Sequence, residues 1–183
     1  MNTRHPLLPP IAWAAVVMAA LLSAIAVTGS ATAQSVGESG LPIPRFVSIS
    51  AGEANLRAGP GHRYPVEWVY VRRNLPVEII AEHEHWRRVR DWEGLEGWLH
   101  RSLLSGRRTV VVVGEEPHPL RSRPTDQSSI VARVEPGVIA RLLRCSSPAE
   151  GPEGAWCTVE VSGYIGRLPR SNLWGVYGSE IVD

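Results

Sequence analysis

The sequence predicts an all-β protein made of two small tandem barrels, and three observations carry that expectation. Short segments rich in β-branched and aromatic residues alternate with glycine, proline and asparagine at close intervals, the spacing of small antiparallel barrels. The second half of the chain repeats the first. No amphipathic helix of useful length interrupts either half.

The first element is an export signal. Arg4 is the only charge in a leader whose apolar run extends from Ile11 to Val27, broken only by Ser23, and ends in the small residues Ala31-Thr32-Ala33. That layout predicts a signal peptide over residues 1–33, cleaved after Ala33, and hence a periplasmic or secreted protein. An uncleaved anchor is the other reading, because the run exceeds a usual signal core yet falls short of the roughly 20 apolar residues that span a bilayer. No later stretch is apolar enough to cross a membrane. The chain has 19 basic and 18 acidic residues, and losing Arg4 leaves it formally neutral. Attraction to nucleic acid or to an anionic lipid surface is therefore not expected to drive its interactions. Residues 34–45 read as a linker.

The repeat sets the domain count. A shift of 64 lays Leu56-Arg57 on Leu120-Arg121 and Pro60 on Pro124, with Phe46 and Ser48 falling on Val110 and Val112. The shift becomes 70 at Trp86 and Val89, which meet Trp156 and Val159. It is 69 where Gly97, Arg101-Ser102 and Leu104 meet Gly166, Arg170-Ser171 and Leu173. Changing shifts imply loops of unequal length between matching strands. The expected units are a first barrel at 46–106 and a second at 107–178, joined without a flexible linker and followed by a tail at 179–183.

In the first unit, strands are expected at Phe46 to Ser50, Val66 to Val71, Val77 to Glu82, Trp86 to Asp91 and Gly97 to His100, with a single 3₁₀-like turn over His100 to Ser105. Val66, Trp68 and Tyr70 alternate with Glu67, Val69 and Val71, so neither face is clearly polar, as in a partly closed barrel with a neighbour on one side. The loop Gly59-Pro60-Gly61 lacks a Gly-Lys-Ser/Thr ending and a following helix. It reads as a turn, not a phosphate cradle.

In the second unit, Cys145 ends the strand begun at Ile139 and Cys157 opens the strand from Trp156 to Val161. Antiparallel neighbours bring such positions within bridging distance, and an oxidising compartment permits the bond. The intervening loop is rich in proline, glycine and glutamate.

The strings Asn55-Leu56-Arg57, Gly59-Pro60-Gly61, Tyr64-Pro65-Val66, Trp86 and Gly97-Trp98 resemble bacterial SH3-like domains. The longer runs Val66 to Tyr70, Trp86 to Trp92, Glu96 to Arg108 and Leu173 to Val176 are similar to tandem exported proteobacterial members. The second unit departs from the pattern by placing Arg167 where the first has Trp98. The resemblance implies non-catalytic domains that accompany cell-wall enzymes and bind peptidoglycan or peptide.

Trp68, Tyr70, Trp86, Trp92 and Trp98 crowd into about 30 residues, and flat rings at that density suit stacking on sugars or proline-containing peptides. For Trp68 and Trp86 the favoured reading is barrel filling; Trp92 and Trp98 are the better groove candidates. The expected binding set is Trp92, Trp98, Tyr70 and Trp68 with Arg88 and Arg90, facing peptidoglycan. The alternative is an adaptor that docks another envelope protein through Arg87, Arg88 and Arg90, since arginine forks suit carboxylates. Internal pairing with dispersed acids is the default for these arginines.

His83 and His85 beside Glu82 and Glu84 could offer two imidazoles and a carboxylate to a metal, yet the segment reads as a solvated hairpin tip and no metal or cofactor is expected. Catalysis has least support. The cysteines are explained by each other, Gly-x-Ser-x-Gly is absent, and Glu115-Glu116 abut Pro117 in a turn.

Overall fold

The computed structural model describes residues 35–147, 149 and 151–183. The predicted export signal lies outside the described residues. The segment read as a linker holds a short hairpin, β1 (Ser35–Val36) with β2 (Pro42–Ile43). Two seven-stranded antiparallel sheets follow. The first contains β3 (Arg45–Ile49), β4 (Ala54–Arg57), β5 (Val66–Tyr70), β6 (Pro76–His83), β7 (Trp86–Arg90), β8 (Glu96–His100) and β9 (Leu104–Ser105), in the spatial order β5-β4-β8-β7-β6-β3-β9.

The second contains β10 (Thr109–Val112), β11 (His118–Arg121), β12 (Ile130–Val134), β13 (Ile139–Cys145), β14 (Trp156–Val161), β15 (Tyr164–Pro169) and β16 (Leu173–Trp174), in the order β12-β11-β15-β14-β13-β10-β16. Strand for strand the two orders are the same, as the sequence repeat requires. No α-helix occurs among the described residues; a 3₁₀ turn at Arg101–Leu103 in one unit recurs at Arg170–Asn172 in the other.

Both sheets are open, and their end strands do not pair with each other. The narrowest place is the junction of β4 with β8, held by the one register pair Arg57 and Trp98, and its equivalent between β11 and β15 at Arg121 and Arg167. A glycine sits at each junction for a steric reason. A Cβ on Gly97 would lie 2.6 Å from Leu56 Cγ, and one on Gly166 would lie 2.5 Å from Leu120 Cγ, with the carbonyl of the following arginine beside it in both cases. At each junction two backbones meet where no side chain fits.

Each unit has its own core. Leu56, Val77, Ile79, Val89 and Leu99 centre the first; Val110, Val112, Leu120, Val159 and Leu168 centre the second. β10 belongs to both. Val110 and Val112 point into the second core, whereas Val111 between them packs with the first. All four residues of the strand are buried, and Val110 to Val112 accordingly read as an apolar run. Polar bonds continue the join: Ser48 Oγ lies 2.6 Å from Thr109 Oγ1, Thr109 Oγ1 donates to Asn74 O, and Tyr177 Oη donates to Glu78. Phe46 packs against Trp174 and Tyr177. The two units form one packed body.

Cys145 and Cys157 are paired in register across β13 and β14 and form a disulfide, with Cα atoms 4.4 Å apart. The residues expected as a tail are tied to the same place, since Val182 and Cys145 exchange both backbone hydrogen bonds. Closing a loop of 11 intervening residues restricts the unfolded chain, so the Cys145→Ser/Cys157→Ser variant is expected to lose about 2 to 3 kcal/mol in chemical denaturation. Wild-type stability in the double variant would show that strand pairing alone holds the hairpin.

Candidate functional site

The site is assembled from four segments of the first unit. Across β7 and β8, Trp86 faces His100 and Arg88 faces Trp98; across β8 and β4, Trp98 faces Arg57. Directly opposed residues of neighbouring strands share a face, so Trp86, Arg88, His100, Trp98 and Arg57 lie on one outer surface of the sheet. The loop at 58–65 folds over one end of this surface. It leaves a recess of about 220 Å³ lined by Asn55, Arg57, His62, Trp86, His100 and Ser102.

Local chemistry fixes the walls. Arg57 uses one guanidinium nitrogen to donate to the carbonyls of His62 and Tyr64, at 3.2 and 2.8 Å. The Tyr64 ring lies so close to Gly59 that a Cβ there would come within 2.5 Å of it. Gly59 thus leaves room for the Tyr64 ring within the loop, and Arg57 ties the loop to the sheet. The β6–β7 turn carries Glu84 at φ 49° and presents His85, whose carbonyl accepts from the Arg101 N–H.

Three aromatic rings line the recess, and a fourth, His85, stands beside His100. The Trp86 indole is edge-on to His62 at 5.0 Å and to His100 at 5.4 Å; His100 stacks with His62 at 6.1 Å and is edge-on to His85 at 6.0 Å. The His100 Nδ1 accepts the Ser102 backbone N–H and lies 2.7 Å from Ser102 Oγ. An N–H can only donate, so neutral His100 carries its proton on Nε2. Burial holds the His100 imidazole below its ordinary range, and the like charges of His62, His85, Arg101 and Arg87 push the same way.

The expected binding residues are dispersed. Trp98 and Arg88 share the outer face with the recess. Arg90 also lies on that face, but its guanidinium is held by Glu78 at 2.6 Å, and Arg88 is paired with Glu96 at 2.8 Å. Trp92 packs against the first core. Tyr70 is 5% exposed and donates its hydroxyl to Asp91, and burial raises its phenol well above the ordinary range. It fills the core instead of lining a groove.

Trp86 is buried as expected, but Trp68, on the edge strand β5, is not a filler: it is 54% exposed. Arg87 is buried, bonded to Glu82 and to the carbonyls of Glu84 and Trp86, which removes it from any docking strand. Glu82 is likewise committed, to Ser39, Arg45 and Arg87. Among the described residues no three histidine, cysteine or acidic side chains are grouped to hold a metal ion, and no helix is long and apolar enough to cross a membrane.

The second unit repeats the recess at the equivalent place. Asp126, Trp156, Pro169 and Ser171 line a hollow of about 410 Å³ together with Gly154 and Arg170. Trp156 faces Pro169 across β14 and β15 as Trp86 faces His100. Arg121 pins the covering loop through the carbonyl of Ser128, as Arg57 does. The polar lining is exchanged: Asp126 stands for His62, and Pro169 for His100. Sequence reasoning missed both recesses, although the aligned Trp86/Trp156 and Ser102/Ser171 pairs were a signal for them.

Comparison with known proteins gives one family, described as bacterial SH3 domain, which matches twice, over residues 50–106 and 114–175. No curated protein matches the chain. Among solved structures the chain is similar to NlpC2 from Trichomonas vaginalis, at 14% identity and a TM-score of 0.32, covering 72% of this chain and 48% of that one. NlpC1 from the same organism gives 14% identity, a TM-score of 0.32 and coverages of 76% and 48%. An NlpC/P60 family protein from Bacillus cereus ATCC 10987 gives 13% identity, a TM-score of 0.30 and coverages of 70% and 55%. The chain spans about half the length of these structures.

Proposed function

Since the chain belongs to the bacterial SH3 domain family, with two copies in tandem, we propose that it is an exported, non-catalytic binding module. Its ligand is cell-wall peptide or glycan, held on the outer face of the first sheet. Bacterial SH3 domains are often cell-wall binding modules. The observation that carries the reading is the recurrence of an aromatic-walled recess at the same place in both units, built each time from a tryptophan that opens a strand and a serine of the 3₁₀ turn. Core packing does not require a hollow, and two units of different sequence keep one.

The ligand path runs from the Trp86 wall over Trp98, where an indole on an open face offers a stacking surface for a sugar ring or peptide plane. Arg88 borders that path. Export rests on the leader at residues 1–33, and places the module in the periplasm or outside the cell.

Retention on purified sacculi tests the reading. Wild type should sediment with sacculi, and Trp98→Ala and His62→Ala should each weaken retention by about tenfold, the loss expected when one ring contact of about 1.4 kcal/mol is removed. In alkaline buffer, where imidazoles carry no charge, retention should change little with salt, because stacking is not screened as exposed ion pairs are. Equal retention of wild type and both variants removes the proposal.

A further inference from the structure

We propose that the recess of the first unit binds a carboxylate and takes up a proton as it does so, which makes it a pH-dependent anion site. This rests on the binding reading above and names the chemistry of the group bound there. Three imidazoles meet at one place, with His100 central, 6.1 Å from His62 and 6.0 Å from His85 by ring centroids. The charged and titratable groups acting on His100 come from every surrounding element: His62 from the covering loop, His85 from the β6–β7 turn, Arg87 from β7 and Arg101 from the 3₁₀ turn. None is a carboxylate.

Two of the nearby arginines are already engaged. Arg87 is spent on Glu82 and on carbonyls, and Arg57, from β4, on the loop carbonyls. What the recess lacks is an anion. A ligand carboxylate supplies the missing charge and stabilises the imidazolium that the empty recess resists. Protonation costs His100 the bond that its Nδ1 accepts from Ser102 N–H, while Ser102 Oγ at 2.7 Å remains as an acceptor for the new Nδ1–H. The Nε2–H is left for the ligand.

The sign follows from linkage. A bound anion raises the His100 midpoint above that of the empty site. Affinity is then greatest below the free midpoint and is lost as pH rises through the bound one, by up to about tenfold per pH unit for one proton. Below about pH 4 the ligand carboxylate itself protonates and affinity falls again. The second recess is an internal control, because Asp126 and Pro169 replace the imidazoles and Arg170 is engaged by four carbonyls.

The test follows the histidine Cε1 protons of the exported chain by NMR against pH, in acetate, in acetamide and in chloride at matched ionic strength. Acetate should raise the midpoint of His100, acetamide and chloride should not, and His100→Gln should abolish the pH dependence of acetate binding above about pH 5, where acetate stays ionised. A midpoint unmoved by acetate, or moved equally by acetamide or chloride, overturns the proposal. A midpoint raised by acetate in a protein that sacculi do not retain leaves the anion site standing and removes the cell-wall reading; retention with a fixed midpoint does the reverse.

Discussion

Replacing Glu82 by glutamine is expected to lower stability by about 3 kcal/mol, because it leaves the Arg87 guanidinium buried without its anion. The Glu82 carboxylate is 1% exposed and accepts from the Ser39 N–H at 2.7 Å, the Ser39 hydroxyl at 2.8 Å and Arg45 at 2.6 Å. Arg87 Nε lies 3.1 Å away, on a side chain only 7% exposed. At about 3 °C per kcal/mol for a chain of this size, the melting temperature should fall by about 10 °C.

The same group sets an acid limit. Burial opposes its charge, but the bonds from Ser39 and Arg45 outweigh burial and hold the carboxyl below its ordinary 4.5. A depressed carboxyl contributes stability above its unfolded pKa and loses it as pH falls through the lower folded value, so the difference between wild type and variant should close in strong acid. Glu160→Gln is the control. Its partner Arg141 is 3.4 Å away and exposed, and the change should cost less than about 0.5 kcal/mol. Equal melting of wild type and the Glu82 variant would mean that the buried network contributes nothing.

Val111→Asp is expected to unfold both units together. Val111 is fully buried in the first core, while the strand that carries it pairs with β13 and β16 of the second sheet. A carboxylate at this position has no partner and should cost several kcal/mol, more than a small domain can lose. The milder Val111→Ala should lower the midpoint while calorimetry still shows a single transition. Two separate transitions in either variant, one retaining the second sheet, would show that the units are energetically independent.

Much of this architecture was legible because it is written in local pattern. Strand positions follow β-branched runs and glycine punctuation, and the disulfide follows from cysteines at facing strand ends. What escaped depends on pairing order. Trp68 and Tyr70 stand two apart on one face of the edge strand β5, opposite Leu56 and Ala54, so nothing in the string says that one is free and the other buried. Arg87, Arg88 and Arg90 look alike in sequence, yet strand alternation sends Arg87 to the opposite side from the other two. The recess draws on residues from 55 to 103, and no periodicity links His62 to His100. Only the sequence repeat held a trace, in the tryptophan and serine that keep their places while the loop residue changes from histidine to aspartate.

The chain contains no lysine, and the cations that brace its loops are guanidinium groups clasping main-chain oxygens: Arg57 in one unit, Arg121 in the other, and Arg170 spanning four carbonyls near the C-terminus. Guanidinium keeps its proton throughout the range in which proteins survive. Alkaline surroundings therefore cannot slacken these braces, and reagents that seek primary amines will find no side chain to attack.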